Sequence, residues 1–210
     1  MNHWKTGAAL AVAVAVALAL DAAPVAADGH SGFIPDLVAD LDRVGTKLVD
    51  LAEATPAEKF SFRPNEEVRT ISEIYMHIVG TNMLLPPALG MPPHEDMEKP
   101  DNPFAMMQEW ERTVTAKPDV IARLRQSLDY AKEAISGMDP ADLDTMVALF
   151  GPEMSKRSYL MIIQTHAHEH LGQSIAYARS IGIVPPWSQP MPTEGDGDGG
   201  KNPEEGAGDG

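Results

Sequence analysis

His166 and His170 stand four residues apart in a run from Tyr159 to Ile181 whose inward positions should hold core side chains. Tyr159, Ile163, His166, His170, Gln173 and Tyr177 recur at intervals of four, three, four, three and four, the period of one helical face. Residues four apart on a helix lie one above the other, so both imidazoles are predicted to enter the interior together. Two rings in an apolar seam are costly unless each finds a partner. A divalent cation engages both at once, and His77, close to Ile74, Ile78 and Thr81 on an earlier helical face, offers a third nitrogen. A satisfied interior histidine, or an accidental pair at this spacing, is the plainer alternative.

Other residues near these three carry weaker signals. Glu73 stands one turn before His77, where helix capping explains it without chemistry. Gln173 follows His170 by three and could orient a ligand imidazole or bond a metal-bound water; a plain interior hydrogen bond is the alternative. His168 lies two residues from both partners and faces the opposite side of its helix, and Glu169 reads as exposed. The pattern is not a zincin motif, because His168-Glu169-His170 lacks two residues between the acid and the second histidine. No helix carries paired Glu-x-x-His elements for a di-iron centre, and no nucleophile elbow or phosphate-binding loop is present.

Four amphipathic elements must position these groups. Leu37, Leu41, Val44, Leu48 and Leu51 predict a first helix from about Pro35 to Ala54, ended by Pro56. Thr70-Ile-Ser-Glu73 forms a capping box for a second helix that Pro86 and Pro87 are expected to stop at about Leu85. A long connection from Pro86 to Lys117 follows, with a short helical piece around Phe104 to Thr113. Pro118 opens the third helix, with Val120, Leu124, Leu128, Ala131 and Ile135 inward and Gly137 and Pro140 closing it. The histidine-bearing fourth helix ends at Gly182 and the Pro185-Pro186 pair. No strand pattern or internal repeat is found. The reading is an all-α four-helix bundle.

The whole chain bounds what such a bundle could do. Lys5, the apolar run Gly7 to Leu20 and the small residues Val25-Ala26-Ala27 make a secretory signal over residues 1–27, too short for a comfortable membrane span. An uncleaved anchor is the competing reading; the expectation is an exported protein, periplasmic or secreted, starting near Asp28. The bundle then occupies residues 28–188, and 189–210 form an acidic Gly- and Pro-rich tail that cannot bury a core. With no cysteine, any metal must be held by nitrogen and oxygen. A net charge of −15 argues against nucleic-acid and anionic-lipid partners.

The segments Thr70-Ile-Ser-Glu-Ile-Tyr-Met-His77-Ile and His166-Ala-His-Glu-His170-Leu-Gly-Gln173, the latter continuing through Tyr177-Ala-Arg179 to Gly182-Ile-Val-Pro-Pro186, resemble signatures of the DinB-like (damage-inducible B) superfamily. Thr55-Pro-Ala-Glu58 and Phe62-Arg-Pro64 fit the link between that family's first two helices, and the resemblance spans about residues 33 to 188. It implies a four-helix bundle with a long crossover between helices two and three, in up-down-down-up order, that holds a divalent ion, often zinc or nickel, on three histidines, here His77, His166 and His170, and that often dimerises. Characterised relatives include transferases that activate small cytosolic thiols, an activity at odds with export. Three functions are therefore expected in turn. One is a metal-dependent hydrolase or transferase acting on a small molecule. Another is a non-catalytic metal- or ligand-binding protein of the cell envelope. The third is a bundle whose histidines satisfy one another without an ion.

Overall fold

The computed structural model describes residues 32–95, 102–149 and 151–189. The expected signal segment and almost all of the acidic tail lie outside these residues. Helix α1 spans Phe33–Ala54, α2 Ile71–Ala88, α3 Pro103–Thr113, α4 Lys117–Ser136 and α5 Lys156–Ser180. Between α4 and α5 the strands β1, Met146–Val147, and β2, Met154–Ser155, pair antiparallel with Met146 opposite Ser155. Neither strand shows in the residue pattern, because two residues are too few to make an alternation.

Each long helix buries the stripe its spacing predicts. Leu37, Leu41, Val44 and Leu48 of α1 meet Val120, Leu124, Leu128 and Ile135 of α4, while Ile74 and Ile78 of α2 and Tyr159 and Ile163 of α5 complete one core. Chain direction follows from the cross-links. Lys117 Nζ donates to the carbonyl of Thr55, and Lys132 pairs with Asp42, so α1 and α4 run antiparallel. Asn82 bonds Ser127 and Tyr130 bonds the carbonyl of Pro92, so α2 and α4 run the same way. A same-direction pair needs a connection that returns along the bundle, and α3 lies within that connection.

Two helix ends differ in how they read. The Thr70 hydroxyl accepts from the Glu73 amide at 3.2 Å and the Glu73 carboxylate accepts from the Thr70 amide at 2.6 Å, so α2 starts where its capping box predicts. Its end does not match: α2 continues past Leu85 through Pro86 and Pro87 to Ala88. Prolines there lack donors, but the Leu85, Pro86 and Pro87 carbonyls still accept from the amides of residues 89–91. Gly182, at φ +81, closes α5 as predicted, with the Ile183 amide donating to the carbonyl of Ala178 at 2.9 Å.

The crossover helix α3 is the least embedded element. None of its side chains is fully buried, and it packs chiefly on α2. Asn102 caps its start by accepting from the Ala105 amide, and Pro103 sits at its first turn. It seats close because Gly80 of α2 carries no side chain: a β-carbon there would lie 2.3 Å from Met107 Cγ. Among the described residues no helix is long and apolar enough to cross a membrane.

Candidate metal centre

His77, in the middle of α2, faces His166 and His170 in the middle of α5. The ring centroids of His77 lie 4.9 Å and 5.0 Å from those of His166 and His170, and the latter two are 4.4 Å apart. One donor atom from each ring can be chosen such that all lie within 4.8 Å of one another. The helical period accounts for the α5 pair, since Tyr159, Ile163, His170 and Tyr177 are all buried on the same face. Helix α2 brings His77 to them because Ile74 and Ile78, its buried neighbours, fix the rotation of that helix in the core.

Partners on the far side of two rings decide which nitrogens face inward. Gln173 donates its amide nitrogen to Tyr177 Oη at 3.2 Å, leaving its carbonyl oxygen 2.8 Å from His170 Nδ1. That oxygen only accepts, so Nδ1 of His170 carries the proton and Nε2 keeps a lone pair. The Glu111 carboxylate takes the equivalent place at His77, 2.7 Å from Nδ1. His77 Nε2 is bare by the same logic. His166 Nε2 lies 3.1 Å from His170 Nε2 and 3.4 Å from Thr81 Oγ1, while its Nδ1 is buried without a partner among the described residues.

The electrostatics keep the α5 pair uncharged. Burial first, then the neighbouring imidazoles and Arg69, push His166 down to about 3. Burial also lowers His170, against the opposing effect of its hydrogen bond to the Gln173 carbonyl oxygen. Burial would raise Glu111, but hydrogen bonds from His77 and Arg69 prevail and hold it below the usual carboxylate range. Arg69 Nε donates to Glu111 Oε2 at 2.9 Å, so the carboxylate is shared between a guanidinium and a ring.

These residues fit a divalent cation. Neutral imidazoles are the form that binds metal. The 3.1 Å between the two Nε2 atoms of α5 is close to the roughly 3.0–3.4 Å that two nitrogens adopt on one zinc-sized ion at about 2.0–2.1 Å bond length. The orphaned nitrogen of His166 is Nδ1, so an ion seated on the Nε2 atoms would leave that separate cost in place.

The remaining sequence candidates lie elsewhere. Glu73 is occupied by its capping bond to Thr70. His168, half-exposed, bonds Asp40 at 2.7 Å on the outer side of α5, where Gln164 also reaches Asp40. Glu169 is exposed. Sequence reasoning missed Glu111 and Arg69. A hollow of 630 Å³ at the C-terminal end of α2, bordered by Met91, Tyr130, Glu133 and Lys156, does not include the three histidines.

The sequence model of the DinB superfamily matches residues 40–174, a span holding all three imidazoles and Glu111. No curated protein matches the chain. Among solved structures, the fold is similar to that of a DinB-like protein from Bacillus cereus, with 19% identity and a TM-score of 0.57 over 73% of this chain and 93% of that one. A conserved protein from Enterococcus faecalis is similar at 15% identity and a TM-score of 0.54, covering 68% of this chain and 93% of its own. A DinB-like protein from Bacillus subtilis matches at 15% identity and a TM-score of 0.54, over 71% of this chain and 94% of its own.

Proposed function

The chain belongs to the DinB superfamily, and from that premise we propose that His77, His166 and His170 hold one divalent metal ion, zinc or nickel, for hydrolytic or group-transfer chemistry on a small molecule. The observation that carries the reading is the meeting of three imidazoles whose donor atoms fall within 4.8 Å of one another. When bound by three nitrogens, such an ion keeps a position open at which it acidifies water or polarises a carbonyl. The chain's own residues do the rest. Gln173 and Glu111 orient the rings of His170 and His77, and burial keeps the α5 pair neutral. Zinc and nickel both accept imidazole, and the absence of cysteine removes the ligands that would favour softer ions.

Protein made without an affinity tag, loaded with zinc or nickel and freed of excess, should retain about one equivalent by elemental analysis. His166→Ala and His170→Ala, checked for intact folding, should each lose it. Retention below about a tenth of an equivalent in the parent protein refutes the assignment.

A non-catalytic metal carrier is the second reading, and a specific observation favours it. Glu73 is tied up in capping, Glu169 is exposed, and His168 is paired with Asp40 on the outer side of α5. None of these acids or bases stands ready to move a proton at the centre. Turnover of an ester, amide or phosphate panel by the loaded protein, abolished in the two alanine variants, decides for the enzyme. No turnover with metal retained decides for the carrier. Either role is proposed to be exported, from a mature chain starting at Asp28, which the intact mass of the secreted protein checks.

A further inference from the structure

The crossover helix contributes a carboxylate to a ring that belongs to a different helix. Glu111 lies in α3, is 13% exposed, and divides its two oxygens between His77 Nδ1 at 2.7 Å and Arg69 Nε at 2.9 Å. We propose that Glu111 is a positioning residue: it holds His77 in the Nδ1–H tautomer with Nε2 bare toward His166 and His170, and Arg69 keeps the carboxylate turned to that task. This rests on the metal reading for its purpose but not for its geometry.

The chemistry is one-directional. An ionised carboxylate only accepts, so the proton between Glu111 and His77 resides on Nδ1. A neutral imidazole free in water prefers the opposite tautomer, with the proton on Nε2. In that form His77 would point an N–H at the other two rings and could not donate electrons to a cation. The Glu111 bond reverses the preference, and a charged acceptor does so more strongly than a neutral one. It also makes the ring a better electron donor, as carboxylates behind ligand histidines do.

Why Glu111 takes this place follows from the packing. Met107 and Glu111, four apart on α3, lie over Gly80 and His77, three apart on α2. Gly80 lets α3 approach until Met107 rests on its backbone, and that approach puts the carboxylate within bonding distance of the ring. Arg69 then fixes the second oxygen from just ahead of the α2 N-cap. Glu111 is therefore more than a surface tether for α3. One of its oxygens meets the Arg69 guanidinium, and the other takes Nδ1 of His77, a ring of the candidate centre itself. Gln173 takes the corresponding place at Nδ1 of His170, whereas Thr81 meets His166 at its inward Nε2 rather than from behind.

The test compares the wild-type protein with Glu111→Ala and Glu111→Gln, full chain throughout. Nitrogen-15 NMR of the metal-free protein at pH 8.5 reads each histidine tautomer. Zinc titration reads affinity, and cobalt substitution reads the ligand field. The expected result is His77 as Nδ1–H in the wild type and shifted toward Nε2–H in Glu111→Ala. Zinc affinity should fall by about 10- to 100-fold in Glu111→Ala and less in Glu111→Gln, whose carbonyl still accepts. The cobalt spectrum of Glu111→Ala should also change. A wild-type His77 protonated on Nε2 overturns the proposal. So does an unchanged tautomer and unchanged zinc affinity in Glu111→Ala. If the wild type binds no zinc yet the tautomer depends on Glu111, the positioning role stands and the metal reading fails.

Discussion

His166 is caught between two other imidazoles, with a buried Nδ1 that none of the described residues satisfies. Its folded-state proton affinity is low, at about 3, because burial and adjacent rings disfavour the cation. An unfolded chain protonates this ring near 6.5. The unfolded state therefore binds the extra proton across the window between the two values. Stability tied to His166 is fully present above pH 6.5 and is lost as pH falls toward about 3. In the metal-free protein, urea unfolding at pH 7 and pH 5 should show this loss, with a slope of at most roughly 1.4 kcal/mol per pH unit from one ring. In His166→Leu the same comparison should be flatter, because the group that must stay neutral is gone. An equally steep loss in the variant would place the acid sensitivity elsewhere. At this scale the sequence was informative about the α5 pair and silent about Glu111. The histidines sit in a periodic seam that one helix's own spacing reveals. Glu111 becomes relevant only after α3 docks, which depends on packing between distant segments.

Helix α3 was legible as a helix around Phe104 to Thr113 but not as part of the site. Its faint signature is the Met107–Glu111 pair at i, i+4, set against Gly80–His77 on α2. Without the fold, nothing tells which face of a mostly exposed helix matters. The same contact yields a sign reversal. Glycine to alanine inside an open helix usually stabilises by roughly 1 kcal/mol. At Gly80 the added β-carbon would lie 2.3 Å from Met107 Cγ and 2.5 Å from its sulfur, so α3 or Met107 must yield. Gly80→Ala should therefore gain nothing or lose stability in urea unfolding. Adding Met107→Ala to Gly80→Ala should recover the helical benefit, giving a coupling of at least about 0.5 kcal/mol. Additive effects would mean that Gly80 is not what seats α3. The α2 terminus teaches a related lesson. Pro86 and Pro87 read as a stop, but the prolines' own carbonyls still serve the last turn, and so the helix runs on.

Across the whole molecule, the four-helix core was readable because each long helix shows its apolar stripe, and the short β1–β2 hairpin was not because it has almost no pattern to show. The candidate centre joins α2 to α5, two helices distant in sequence, and α3 reaches it from outside. A cation that binds only this assembled arrangement stabilises the fold by mass action. Zinc at about a hundred times its dissociation constant should add roughly 2.7 kcal/mol. For a domain of this size that raises the melting temperature by roughly 5–10 °C. A chelator should reverse the shift, and His170→Ala should abolish it; an equal shift in that variant would assign the effect to surface acids.

Because α3 grips the bundle mainly through one carboxylate, one close-fitting glycine and a few partly covered side chains, its attachment and the retention of an ion at the centre would draw on the same free energy. Whatever such a cation gained from Glu111 it would return, in equal measure, as a firmer clasp on that helix. Cargo and fastener are then one device. A partner that pried α3 away would loosen the metal without ever touching a histidine.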